Sequence, residues 1–216
     1  QGVSSAASDV YKRQVFMLVT MKEILDRAKK DNYGVTSIMV DRSSLSYEDN
    51  IAQTKETVKM CRPLNISVEA ELGHVGQSED YSSDGSDHFT KPEEVKKFVE
   101  ETGIDCLAVA IGTAHGRYHG TPHIDFDLLK QITDVVDIPL VLHGGSGTGD
   151  ENLRKAVKNG IQKVNLATEL VVAGKEELET FIQDKNFDKW QLIPSFIKGY
   201  SDRLEHYVKL FDQENR

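Results

Sequence analysis

Five short apolar runs, separated by segments of helical periodicity, limit the folds open to this chain more than any other feature. They are "SIMVD" (37–41), "ISVEAEL" (66–72), "CLAVAIG" (106–112), "IPLVLHG" (138–144) and "IQKVNLAT" (161–168). Between them, apolar residues recur every three or four positions: Ile51, Val58 and Cys61 in 47–62, and Val95, Phe98 and Val99 in "PEEVKKFVEETG". Helices are also expected over "FDLLKQITDVV" (126–136), over "DENLRKAVKNG" (150–160) and beyond, the last carrying Ile197, Tyr200, Leu204, Val208 and Phe211. Strands that are apolar at most positions are covered on both faces, and strands alternating with helices form a parallel sheet wrapped by its crossovers. Thr20 with Glu23 and Thr90 with Glu93 have capping-box spacing, and Asp150 is the expected N-cap of its helix. The terminal apolar stripe is expected to pack into the core, with a subunit contact as the other use for it.

The tail comes next. Residues 1–14 lack periodicity, and 1–16 are expected to be disordered or artefactual, with the barrel-type domain occupying 17–216. The apolar run "VFMLV" (15–19) is far shorter than the ~20 residues of a membrane span, and no apolar run approaches that length. A formal charge of −9 offers no basic footprint for nucleic acid. Cys61 and Cys106 lie in apolar-periodic segments and are expected to be reduced thiols in a cytoplasmic protein.

In parallel sheets of this kind, chemistry gathers beyond the C-terminal strand ends. Polar residues collect there in this sequence. The first strand ends in Asp41 and the second in Glu69 and Glu71; His115 follows the third, His143 ends the fourth, and Asn165 and Thr168 end the fifth. A single histidine at a strand end is ordinarily a structural residue. Two at neighbouring strand ends, each followed by glycine, point to shared metal coordination, and neutral imidazoles beside carboxylates suit zinc. The stretch "HGGSGTGD" then has a use. Gly144, Gly145 and Gly147 let backbone N–H groups approach a ligand, Ser146 adds a hydroxyl, and the following helix adds its positive end. Loops after the last strands of a barrel often bind phosphate in this way.

The segments "SVEAELG", "CLAVAIGTAHG", "PLVLHGGSG" and "KVNLAT", with "MLVTMKEILDRAKKDNYGV" before them, resemble the class II, zinc-dependent ketose-bisphosphate aldolases in order and spacing. The resemblance covers nearly everything after residue 16. It implies a TIM-type (β/α) barrel, here cut to about five strands, and reversible cleavage of fructose or tagatose 1,6-bisphosphate to dihydroxyacetone phosphate and glyceraldehyde 3-phosphate. It also implies a Zn2+ cofactor and, in the intact family, a homodimer or homotetramer. By position, His115, His143, Glu71 and Asp41 correspond to metal-site residues. Gly116, Gly144, Gly145, Ser146, Asn165, Leu166, Ala167 and Thr168 correspond to the segments holding the dihydroxyacetone phosphate part. Glu79 lies in the loop whose family glutamate exchanges a proton with that fragment, although Gln77 stands where the family has a second glycine.

One departure is large. Tyr33-Gly34-Val35 runs directly into Thr36, where the family inserts roughly seventy residues of a barrel that totals ~250. That segment carries the third zinc-ligand histidine and the aspartate that handles the cleaved hydroxyl. His74, His119 and His123 are nearby histidines that could stand in, each more simply a solvated loop residue. The resemblance therefore implies an aldolase impaired as written. A non-catalytic phosphosugar-binding remnant is one alternative, and another phosphate-binding barrel, such as a flavin enzyme, is a second.

Overall fold

In a computed structural model of the chain, residues 35–76, 88–116, 118 and 120–212 are described. Five strands form within the expected runs: β1 Ser37–Val40, β2 Ser67–Leu72, β3 Cys106–Val109, β4 Leu140–Leu142 and β5 Ile161–Val164. They pair in the order β1-β2-β3-β4-β5, all parallel. Spatial order that follows chain order, with no reversal, is winding of the barrel kind and not of the doubly wound kind. Among the described residues β1 and β5 pair on one side only, so this part of the sheet is open.

The helices are α1 Tyr47–Cys61, α2 Pro92–Thr102, α3 Phe126–Thr133, α4 Asp150–Lys158, α5 Thr168–Phe181 and α6 Leu192–Asp212. They cover one face of the sheet. Val40, Val68, Ala70, Leu72, Leu107, Val109, Leu140, Leu142 and Ile161 join Ile51, Val95, Phe98, Leu129, Ile132 and Leu153 in one core cluster. Strand alternation sends the intervening residues to the other face, where the register lines up Glu69 with Cys106, Glu71 with Ala108, and Ala108 with Val141. That inner face carries the polar groups of Glu69, Glu71 and Cys106 beside Met39, Ala108 and Val141.

β5 joins the inner face through an irregularity. Leu140 pairs with Ile161 but Val141 pairs with Lys163, so Gln162 is skipped as a bulge. The Gln162 side-chain oxygen accepts from the Leu140 amide at 2.7 Å, supplying the acceptor that the bulge removes. Because side chains alternate, the skip turns Lys163 onto the inner face beside Val141 and leaves Val164 with the core.

Several expectations are corrected. Thr90 does not cap α2. Pro92 takes the first turn, Lys91 is the N-cap, and the Thr90 hydroxyl instead donates to Leu72 O and accepts from the Ala110 amide. Gly149, not Asp150, is the N-cap of α4; Asp150 is its first residue and meets His206 at 3.0 Å. On α6 the buried residues are Ser195, Gly199, Tyr207 and Leu210, whereas Ile197, Leu204 and Val208 are exposed and Tyr200 and Phe211 only half-buried. The terminal stripe is thus split between two faces and does not pack as a unit. The tail 1–16 and the Thr20–Glu23 box lie outside the described residues. Among those described, no helix is long and apolar enough to cross a membrane.

Candidate functional site

Strands β1, β4 and β5 stop just short of their polar ends, so Asp41, His143 and Asn165 are the first residues of the loops that follow. Glu69 and Glu71 are two apart on β2 and therefore share the inner face, where both are buried. His143 lies between them. Its Nε2 is 2.9 Å from Glu69 Oε1 and its Nδ1 is 3.1 Å from Glu71 Oε2. Lys163 donates to the other Glu69 oxygen at 2.6 Å, and the Cys106 thiol lies 3.7 Å from that oxygen. Glu71 Oε1 accepts from the Val75 amide at 2.8 Å and from Ser43 Oγ at 3.0 Å. Asp41 closes a local turn, accepting from the Ser43 amide at 2.9 Å and standing 2.7 Å from its hydroxyl. His115 is anchored through its amide to Gly76 O at 2.8 Å, and its ring centroid is 5.8 Å from that of His143.

The two histidines titrate in opposite directions. Burial alone would lower His143, but its hydrogen bonds to Glu69 and Glu71 outweigh this and push it up to about 9. At neutral pH it is an imidazolium donating from both nitrogens. Burial would raise Glu69, yet His143 and Lys163 hold it below the usual carboxylate range. His115 is held below the ordinary histidine value by burial, against the pull of Glu71 and with the added repulsion of His143, so it is neutral. Burial and the neighbouring Glu69 raise Cys106 to about 11, which leaves it an unreactive thiol.

The glycine loop builds a second centre beside this one. Gly144 has φ +65°, and a Cβ there would stand 2.3 Å from Ala114 O, so no side chain fits. Tyr118 ties the two loops together. Its hydroxyl accepts from the Ala114 amide at 2.6 Å and lies 2.7 and 2.9 Å from the Ala114 and Gly144 carbonyl oxygens. The Gly145 amide donates to Asn165 O at 3.1 Å, and Ser146 Oγ accepts from the Ala167 amide at 3.0 Å, locking the β4 loop to the β5 loop. A cavity of about 560 Å³ opens here, lined by Gly116, Tyr118, Ser146, Gly147, Thr168 and Glu169 among others. Backbone amides and the N-terminus of α5 at its wall are the elements that receive an anion.

The sequence-derived residues therefore divide into two groups. Gly116, Ser146 and Thr168 line the cavity, with Gly144, Gly145, Asn165 and Ala167 in the loops behind it. The Leu166 side chain packs by Gly145, 3.2 Å from where a Cβ would stand. Asp41, Glu71, His115 and His143 gather in the adjoining cluster. Glu79 and His119 lie outside the described residues, and His123 is exposed. His74 Nδ1 lies 2.8 Å from Ser43 Oγ and 3.9 Å from Glu71 Oε1, at the edge of the cluster. Sequence reasoning did not assign Glu69, Lys163, Tyr118, Glu169 or Tyr207. Only Glu69 left a signal, the alternation it shares with Glu71.

A singly wound parallel sheet with its polar groups at the C-terminal strand ends defines an α/β barrel enzyme architecture. Residues 19–216 match the family described as fructose-bisphosphate aldolase class-II, and the chain belongs to that family. It is similar to the YdjI aldolase of Escherichia coli K12, with 38% identity and a TM-score of 0.73 over 88% of this chain and 65% of that one. A candidate fructose-1,6-bisphosphate aldolase of Coccidioides immitis is 32% identical, with a TM-score of 0.73 over 88% of this chain and 68% of the other. Fructose-bisphosphate aldolase of Campylobacter jejuni, at 21% identity and a TM-score of 0.72 over 91% and 67%, shares the fold. The chain thus spans less than two thirds of the Escherichia coli protein.

Zinc needs unprotonated imidazole nitrogens and at least three converging protein ligands. The two histidine rings are close enough to face one ion, but His143 gives both nitrogens to carboxylates. Among the described residues, no group of three or more His, Cys, Asp or Glu side chains is placed to hold a metal ion. In this arrangement Asp41, Glu71, His115 and His143 do not fit a zinc centre.

Proposed function

We propose that this chain carries the phosphate-binding half of a class II ketose-bisphosphate aldolase site and takes fructose or tagatose 1,6-bisphosphate by its dihydroxyacetone phosphate end. One observation supports this above all. The loops after β3, β4 and β5 converge on a single cavity walled by Gly116, Ser146, Gly147 and Thr168, next to a buried imidazole–carboxylate cluster. Backbone amides would hold the phosphate, and the rigid Ser146–Ala167 and Gly145–Asn165 links would fix its position relative to the cluster. The neutral His115 ring is then available as a hydrogen-bond partner for the sugar oxygens.

Cleavage is impaired on this reading. Zn2+ is the cofactor that the resemblance implies, and the cluster as arranged does not receive it, so no step is assigned to it. The second reading, a non-catalytic phosphosugar-binding chain, is favoured by the engagement of both His143 nitrogens. Glu79 keeps the proton-transfer role that the resemblance gives it, as a proposal. The same reading puts the protein in the cytoplasm, as a homodimer or homotetramer in its intact family, with a phosphorylated sugar as partner.

Two measurements test it: titration with dihydroxyacetone phosphate, and an aldol-cleavage assay with both bisphosphates in the presence of zinc. Binding with little or no cleavage is expected. Rapid cleavage would overturn the impairment, and failure to bind the triose phosphate would overturn the phosphosugar reading itself.

A further inference from the structure

We propose that Glu169 is a resident occupant of the phosphate cradle: its carboxylate holds the Gly147 amide in the ligand-free chain and must leave before a phosphate group can enter, while Tyr207 on α6 holds it in place. The inference rests on the phosphosugar reading above and concerns how that site is regulated.

The geometry is specific. Glu169 Oε2 accepts from the Gly147 amide at 3.0 Å and also from the Tyr207 hydroxyl. The Glu169 amide donates to Ser146 Oγ at 3.4 Å, so residues 146–147 and 169 grip each other in both directions. Other amides of the glycine loop donate to backbone carbonyls, Gly145 to Asn165 O at 3.1 Å and Thr148 to Gly145 O at 3.3 Å. The Gly147 amide differs from these. It gives its proton to an anionic oxygen at the cavity wall, which is the arrangement an incoming phosphate oxygen would need.

A carboxylate and a phosphate dianion cannot share one N–H. Like charges a few ångströms apart repel more strongly at a protein surface than in bulk water. The side chain must therefore turn away when phosphate binds. What it turns from is a rigid post: Tyr207 is buried, and its ring lies 6.3 Å from that of Phe211 in a stacked arrangement. The neighbouring His206 meets Asp150, the first residue of the helix that follows the glycine loop, at 3.0 Å. Two successive residues of α6 thus hold the two sides of the cradle, and the carboxylate is the movable piece between them.

The test is calorimetric titration of the full chain, treated with chelator, against glycerol 3-phosphate. Glu169→Gln keeps the shape and removes the charge, and it should bind about tenfold more tightly than the unmodified chain. Tyr207→Phe keeps the ring and releases the carboxylate, and it should gain about threefold. A merely structural role for either residue gives weaker binding on substitution, not tighter. Binding by the unmodified chain that is unchanged or weakened in Glu169→Gln overturns this inference and leaves the phosphosugar reading standing. If Glu169→Gln does not fold, as read from its thermal melt, Tyr207→Phe decides: no gain overturns the inference. Absence of binding by the unmodified chain and both variants overturns the inference and the phosphosugar reading together.

Discussion

The cradle between β4 and β5 and the imidazole–carboxylate cluster stand side by side at the same end of one sheet, yet they are built from different material. The cradle is a backbone structure. Its loops meet chiefly through amides and carbonyls, with the Ser146 hydroxyl and the Glu169 carboxylate as acceptors, and the segments 144–148 and 165–169 are brought together by a single strand pair. The cluster is a side-chain structure that draws on Asp41, Glu71, His115 and His143 from four separate loops and strands. A site made from two adjacent loops can form within part of a barrel. A site made from side chains around the ring depends on every strand that feeds it. With the described ligands alone, His143 satisfies itself on Glu69 and Glu71, and the result is an ion-pair network where the family resemblance implies a metal centre.

Substitutions should separate the two regions, and the largest effect belongs to the cluster. Glu69→Ala leaves the His143 imidazolium and Lys163 without their shared carboxylate, and loss of one partner of a buried pair costs about 3–5 kcal/mol. An unfolding free energy, from urea denaturation, lowered by less than a third of that would show that the network contributes little. The pH dependence comes next. His143 is raised from 6.5 to about 9 in the folded chain, so its stabilisation is complete below pH 6.5 and is lost as pH rises through 9. Up to about 3 kcal/mol should disappear across that window in denaturation of the chelator-treated chain. A flat profile from pH 6 to 9 would contradict the bridging imidazolium.

The cradle should respond through backbone geometry. Gly144→Ala places a methyl against Ala114 O at a left-handed φ and should cost about 1–3 kcal/mol, read from the same denaturation. Ser146→Ala removes the acceptor for the Ala167 and Glu169 amides. It should cost about 1 kcal/mol of stability and weaken triose-phosphate binding by about fivefold. Equal losses from Glu69→Ala and Ser146→Ala would erase the distinction between the two regions.

The sheet and its polar rim were legible because apolar runs and strand alternation are local signals. "SVEAEL" alone puts both glutamates on one face. Lys163 was not legible, because it reaches Glu69 only through the Gln162 bulge, a property of the β4–β5 pairing. The caps at Thr90 and Asp150 were misread for a related reason. Pro92 and Gly149 shift where the helices begin, and tertiary partners (Leu72 and Ala110 for Thr90, His206 for Asp150) take the polar groups. Tyr118, Glu169 and Tyr207 act across loops and on a distant helix, and a sequence pattern carries no such contact. The terminal stripe misled because α6 has apolar residues on two faces and only one of them meets the core.

The central claim is that the cradle functions without the cluster's metal chemistry. Backbone amide shifts of the chelator-treated chain, followed by NMR during titration with dihydroxyacetone phosphate, test it most directly. The account predicts saturable shifts concentrated at Gly116, Gly147 and Thr168 with the ring signals of His143 unmoved. Shifts that appear only after zinc is added, or that centre on His115 and His143 and spare the glycine loop, would contradict it.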